Sequence, residues 1–395
     1  MDCLNNTTTA AKAMFDDMSG LKIPDEICIT ICLHIPVAFI KHVDPSYQGP
    51  PPATPGEQTT LFYEIVRDTN SGSKLELLNE DRNFDITSRK DVTIFFQKIQ
   101  TSAQQAERYM LFTWGHGAAI SVFVSGNMQA DSPKMLDMVE LKEAILDTFS
   151  DKLKLVVMMD CFMQYIDTGL LLRQAQVEYM VAAQYGITFQ GYNYKEIFGR
   201  LYSDPGISSR DLAKLCITTM RSLPNSKDSL VSAAIFATEL SFYDDLMNTI
   251  NTLGRQLSIE MDERPHMIHA AIKDEYYLNG AGKLMDLFAV IKNIANTLGG
   301  DWQAPTIKHL DSLHKRMFIE DITGPNVSFP RLEKALGLSV SIPKSKTNRF
   351  YNTFVKCNPG SISRIAGTCG DWTAFIDKYV AFASSKKFQT TTTIQ

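Results

Sequence analysis

Tyr109–Gly117 reads YMLFTWGHG, and Lys154–Met163 reads KLVVMMDCFM. Each is an apolar run that stops abruptly, the first at His116 and the second at Cys161. Two parallel strands of an α/β sheet end this way when they deliver a base and a thiol to one sheet edge. Open α/β sheets gather ligands and chemistry at the carboxyl ends of their strands. The pair therefore points to a nucleophilic Cys161 with His116 as its base, ahead of a disulfide or a metal centre. Spacing alone also allows a plainer reading. A buried cysteine beside an acid, and a histidine in a glycine turn, serve structure more often than catalysis.

The flanking sequence supplies the rest of an α/β pattern. Thr9–Met18 reads as a short amphipathic helix entered through a threonine run. Ile27–Ile40 is apolar on both faces and rich in β-branched residues, which fits a strand buried on both sides. Gln48–Gln58 is a proline-rich loop, and Leu61–Arg67 a second strand. Asp85–Ile99 is a helix capped by Asp85 or Thr87, with Val92, Phe95, Phe96 and Ile99 on its apolar face. Helices follow at Met138–Thr148, Thr168–Gln176 and Asp211–Arg221, and strands at Val177–Ala183 and Leu230–Ala237. From Glu239 to about Gly299 the pattern is helical; Leu338–Ile342 is a last strand and Trp372–Phe382 a last helix. Such alternation predicts a mainly parallel sheet sandwiched by helices. The expected organisation is a catalytic core over residues 1–238. Residues 239–395 form a helical extension whose final strand and helix pack on that core.

Composition excludes several classes. The chain has 395 residues, 44% of them hydrophobic, enough for a sizeable core. The net charge is −5 and no basic block is interleaved with aromatics, so nucleic acid is not an expected partner. Seven scattered cysteines, an odd number, argue against a disulfide framework. Cys28 and Cys32 read as core thiols. No run is long and apolar enough to span a bilayer, and the first residues lack the pattern of a signal peptide. A soluble, cytoplasmic chain is the default expectation, and a secreted one if the true start lies upstream.

The order of these motifs resembles the clostripain family of cysteine peptidases, which have a caspase-like fold. The family strand ends in W-D-H-G-G-G where Trp114-Gly115-His116-Gly117-Ala118-Ala119 stands here. Its D-A-C-L-M-G corresponds to Met159-Asp160-Cys161-Phe162-Met163-Gln164. Its Y-x-V-A-S-E and G-x-x-Y correspond to Tyr179–Gln184 and Gly191–Tyr194. Further echoes are Met285-Asp286-Leu287-Phe288, Gly337–Pro343, and Trp372 with Phe375 and Tyr379. The family begins with an apolar strand before an acidic, asparagine-rich turn. Asp2–Asn6 resembles that turn, so Met1 is expected to fall inside the first strand.

The resemblance implies a Cys/His dyad of Cys161 and His116. Gly117, which has no Cβ, would bring its N–H into an oxyanion hole beside the Cys161 N–H. Substrate-pocket candidates are Met159, Gln184 and Trp114. The family places acids in this pocket for Arg or Lys at P1, one of them two positions before the cysteine. Here Met159 holds that position, and Gln184 stands where the family has Glu. Without negative charge a buried cation would be left unpaired, so strict Arg/Lys preference is not expected. For the same reason self-cleavage after Lys134 or Lys152, between the two motifs, is not expected. Strand alternation turns Asp160 away from the cysteine face. Asp167 reads as a solvated or capping charge, and His266 with His269 as a surface or satisfied pair.

No cofactor is expected. Calcium, used by some relatives, has no D-x-D-x-D-G loop here. The leading function is a cysteine endopeptidase acting on peptides or proteins. The alternatives are a caspase-like pseudoenzyme that binds peptide or a partner without turnover, and a hydrolase of small amides. The oligomeric state is not legible.

Overall fold

The computed structural model describes residues 8–18, 20–68, 72–103, 106–117, 119–125, 134–187, 192–222, 234–272, 284–299, 301–323, 335–342 and 370–385. The expectation about the first strand at Met1 lies outside these residues, as do Cys3, Cys357 and Cys369. The chain opens with α1 (Thr8–Met18), β1 (Ile29–Pro36), a short α2 (Ile40–Val43), β2 (Gln58–Asp68), β3 (Gly72–Asp81) and α3 (Arg89–Ser102). There follow β4 (Tyr109–Trp114), β5 (Ser121–Ser125), β6 (Lys134–Asp137), α4 (Met138–Phe149), β7 (Leu153–Met159), α5 (Ile166–Gln174) and β8 (Tyr179–Ala183). Then come α6 (Tyr194–Ser203), α7 (Ser209–Thr218), β9 (Ala234–Glu239), α8 (Tyr243–Glu263), α9 (Pro265–Ala271) and β10 (Leu284–Asp286). The chain closes with α10 (Leu287–Leu298), α11 (Ala304–Met317), β11 (Phe318–Thr323), β12 (Ser339–Ser341) and α12 (Gly370–Ala383).

The central sheet has the order β11-β9-β8-β7-β4. Parallel pairing joins β4, β7 and β8, and the two motifs lie on β4 and β7. β9 and β11 add antiparallel strands. A separate antiparallel sheet has the order β1-β2-β3. Two two-stranded ladders, β5-β6 and β10-β12, and an isolated parallel bridge between Tyr165 and Ser339 complete the pairing among the described residues.

Strand alternation divides the core in two. Val156, Met158, Met180 and Ala182 join one cluster with Val92 and Phe96 of α3, Leu141 and Ile145 of α4, and Leu170 of α5. The same cluster continues into Leu246 and Leu253 of α8, Phe288 of α10 and Phe375 of α12. Leu155, Val157, Met159, Val181 and Ala183 join the other, with Phe15 of α1, Ile197 of α6 and Leu212 of α7. β7 is therefore buried on both faces, and each fully buried aliphatic side chain contributes about 1.5–3 kcal/mol. Helices cover the sheet on both sides, as the alternating pattern predicts.

Several local expectations change. The strand expected over Ile27–Ile40 ends at Pro36, which has no N–H for the ladder, and the chain turns into α2. Cys28 lies before that strand and is exposed, with Sγ 3.6 Å from Glu64 Oε1; of these two cysteines, Cys32 alone sits in the core. Ser88, not Asp85 or Thr87, takes the N-cap position of α3, because Asp85 Oδ1 is used by the Thr87 N–H and hydroxyl. The sequence pattern does not foresee β3, β5, β6, α6, β10, α11 or β11. β3 is largely exposed and lacks apolar alternation; α6 follows a loop signal; β10 is only three residues long; α11 follows Gly299.

Candidate active site

The two motifs converge because β4 and β7 are parallel neighbours in register. Trp114 pairs with Met159. The Gly115 N–H donates to the Met159 carbonyl at 3.4 Å. His116 and Cys161 thus leave adjacent strands at the same end, each two residues past the last pair. Both are half-buried.

The turn after β4 lies directly on the turn after β7. A Cβ placed on Gly117 would come within 2.7 Å of Asp160 Cβ, 2.8 Å of the Cys161 carbonyl oxygen and 3.1 Å of the Cys161 nitrogen. Real Cβ atoms essentially never approach closer than 3.0 Å, so only glycine fits without displacement. A second tie crosses below. The Thr113 hydroxyl donates to Asp160 Oδ2 at 2.5 Å, with Asp160 fully buried. Asp160 is thereby turned to the face opposite Met159, as strand alternation predicts.

The Cys161 turn is held on its far side as well. Phe162 adopts a left-handed backbone, φ 65°, which costs a non-glycine residue about 1–3 kcal/mol and must be over-determined by its surroundings. The constraints are specific. The Phe162 N–H donates to the Tyr185 carbonyl, and the Gln164 N–H to the Ala183 carbonyl, each at 2.9 Å. Gln164 Nε2 donates to the Thr238 hydroxyl at 2.8 Å, and the rings of Phe162 and Tyr185 meet edge-on at 5.4 Å.

Burial pushes the Cys161 thiol above its ordinary value. A backbone hydrogen bond from Ile187 opposes this, and the negative Asp160 reinforces it. A thiol so placed is protonated at neutral pH and needs a base to release its proton as it attacks.

The substrate-pocket candidates lie beneath the surface. Trp114 is 3% exposed, Met159 4% and Gln184 0%. Met159 packs in the core cluster of α1, α6 and α7, where the Tyr194 hydroxyl lies 3.2 Å from its sulfur. Gln184 is engaged by groups from the C-terminal half. Its Nε2 donates to Asp286 Oδ2 at 2.8 Å, and its Oε1 accepts the Gly337 N–H at 3.1 Å. Trp114 shares the Met159 cluster.

Other sequence candidates fall elsewhere. Asp167, expected as a solvated or capping charge, is 3% exposed in the first turn of α5. His266 and His269 are part of a ring cluster with Phe382, and His269 also packs on Tyr379. Among the described residues, no group of three or more His, Cys, Asp or Glu could hold a metal ion. No described helix is long and apolar enough to cross a membrane.

Comparison with known proteins bears on the whole chain. The sequence profile of the clostripain family, peptidase C11, matches residues 63–358, well over half of its length. A secreted C11 cysteine protease of Bacteroides thetaiotaomicron, solved with an irreversible peptide inhibitor, superposes with a TM-score of 0.61 at 12% identity, covering 94% of this chain and 96% of its own. The same organism's secreted C11 protease iotapain gives 0.63 at 13% identity, covering 94% and 95%. An inactive zymogen of a C11 protease from Parabacteroides distasonis gives 0.58 at 15% identity, covering 89% and 92%. At these identities the likeness is one of fold. The comparison with curated proteins gives no match.

Proposed function

Because this chain belongs to the clostripain family of C11 cysteine peptidases, we propose that it is a cysteine endopeptidase in which Cys161 attacks the scissile carbonyl. The observation that carries this reading is the contact of the Gly117 backbone with Cys161 at the shared end of β4 and β7. His116 takes the thiol proton and returns it to the leaving amine. The N–H groups of Gly117 and Cys161 stabilise the oxyanion. Water then hydrolyses the acyl-enzyme with His116 as base. The preferred P1 residue is not strictly Arg or Lys, since the uncharged Met159 and Gln184 stand where the family carries acids and both are buried rather than open to a substrate side chain. The peptide inhibitor bound by the first relative supports a peptide substrate.

The raised thiol and the burial of Met159 and Gln184 favour one second reading: a caspase-like scaffold that binds peptide without turnover. A peptide-library cleavage assay separates the two. Cys161→Ala and His116→Ala serve as controls. The peptidase reading expects cleavage that both substitutions abolish. Absence of cleavage by a folded protein whose Cys161 resists iodoacetamide supports the scaffold. Strong cleavage after Arg overturns the account of the pocket.

A further inference from the structure

We infer that the buried Gln184–Asp286 pair is a positioning device for the nucleophile, pinning the turn that carries Cys161 to the C-terminal half of the chain. The inference rests on the peptidase reading above. Gln184 follows β8, and its two chain neighbours hold the Cys161 turn: Ala183 accepts the Gln164 N–H and Tyr185 accepts the Phe162 N–H. Gln184 itself reaches the other way. Its amide bridges Asp286 and the Gly337 N–H, and its carbonyl accepts the Ser339 hydroxyl at 3.5 Å. The Ser339 N–H then donates to the Gln164 carbonyl at 2.9 Å, closing a loop of hydrogen bonds around the turn.

Asp286 is the fixed point of this loop. It is 2% exposed, caps α10 through the Ala289 N–H at 2.8 Å, and accepts the Leu336 N–H at 2.8 Å. With Gln184 Nε2 it has three donors, as a buried carboxylate requires. An amide at position 184 satisfies both this acid and the Gly337 N–H at once. A carboxylate there would face another carboxylate. Phe162 explains why a pin is needed: its left-handed backbone persists only while neighbouring contacts over-determine it.

Gln184→Glu tests this without changing side-chain length. The ionisable groups around the junction are Asp286 of β10, Tyr185 and Cys161. From α11 comes His314, whose Nε2 lies 2.7 Å from the Leu336 carbonyl oxygen. At low pH the introduced carboxyl keeps a proton and donates it to Asp286 as the amide does; at higher pH the two acids repel. Two readouts are followed across pH: peptide cleavage, and alkylation of Cys161 by iodoacetamide, scored on the Cys161 peptide because Cys28 is also exposed. The expected result is wild-type behaviour below about pH 5, near the ordinary carboxyl range. Above about pH 7, kcat falls roughly tenfold or more with KM within about threefold, while alkylation accelerates as the turn opens. Gln184→Glu/Asp286→Asn, which restores a donor–acceptor pair, recovers at least half of the loss on a logarithmic scale. Thermal melts at each pH keep unfolding apart from displacement. If Gln184→Glu does not fold, Gln184→Met, which keeps the length and removes both bonds, is expected to show the two opposed changes at every pH. The inference is overturned if the variant tracks wild type across pH, or if both readouts change only in step with loss of the folded state. Should the wild type cleave no peptide, the peptidase reading fails, and the alkylation profile still reports whether the pair positions Cys161.

Discussion

Gly117 lies so close to Cys161 that a single methyl group between them would come within 2.8 Å of the Cys161 carbonyl oxygen. The contact joins two turns that are distant in sequence but adjacent in the sheet. It explains why the residue after His116 is a glycine in chemical rather than conformational terms. What matters is the room it leaves, not a left-handed backbone.

Gly117→Ala is therefore expected to push the two turns apart. Overpacking of this kind costs typically about 1–3 kcal/mol of stability. Cleavage should suffer more, because the displaced N–H belongs to the proposed oxyanion hole; a fall in kcat of about 100-fold or more is expected. Steady-state kinetics beside thermal melts check this. An alanine variant with near wild-type kcat removes Gly117 from the proposed site.

Asp160 bears on pH dependence. Its charge disfavours the Cys161 thiolate and adds to the dominant effect of burial, so the thiol ionises above its ordinary value. Asp160→Asn removes the charge and keeps an acceptor for the Thr113 hydroxyl. The expected outcome is a pH profile of Cys161 alkylation displaced toward lower pH. A displacement toward higher pH would mean that the acid supports the thiolate instead.

Asp286 bears on stability. Burial raises its carboxyl above the ordinary aspartate value, against the pull of its hydrogen bonds from Gln184, Ala289 and Leu336. Its folded pKa exceeds the unfolded one. Its contribution is then fully present below the ordinary aspartate range and is lost as pH rises through the raised value. The melting temperature of wild type relative to Asp286→Asn should accordingly decline from acid toward neutral pH. A difference that grows with pH would reverse the assignment.

Lys134 and Lys152 bear on self-processing. Lys134 opens β6, where its ammonium lies 3.3 Å from Asp85. Lys152 precedes β7 at the end of the strand opposite Cys161, and its ammonium donates to the Ala106 carbonyl. Intact mass after prolonged incubation is expected to show no Cys161-dependent cut after either lysine. A cut present in wild type and absent from Cys161→Ala would show that the pocket accepts a cation.

Met159 shows what a designed pocket charge would meet. Met159→Asp would bury a carboxylate among Trp114, Val157 and Tyr194, and breaking polar balance at such a site costs several kcal/mol. The expected result is a lower melting temperature and no gain of cleavage after Arg. Gain of Arg cleavage with unchanged stability would mean that residue 159 faces bound substrate.

Where reading the sequence succeeded, the physics was local. The apolar runs before His116 and Cys161 read as strands from their own letters; β7 is buried on both faces, whereas β4, at the sheet edge, is mostly half-buried. Glycine at 117 and the change of pattern after Met159 mark where those strands stop. The Met138 helix begins where expected, since Asp137 and Glu140 form a capping box within four residues. Reading failed where a residue's role is set by a partner far along the chain. Asp167 and Gln184 are polar letters that give no sign of burial, yet one is 3% and the other 0% exposed.

The sequence by itself determined two strand tips, a thiol, an imidazole and a glycine, because strand periodicity and turn chemistry act over a few neighbouring residues. Tertiary structure alone decided that Thr113 would grip Asp160, that Gly117 would rest on Cys161, and that Asp286 would meet Gln184 across 102 positions of chain. Those contacts join elements brought together only by sheet register and core packing, which no local pattern encodes.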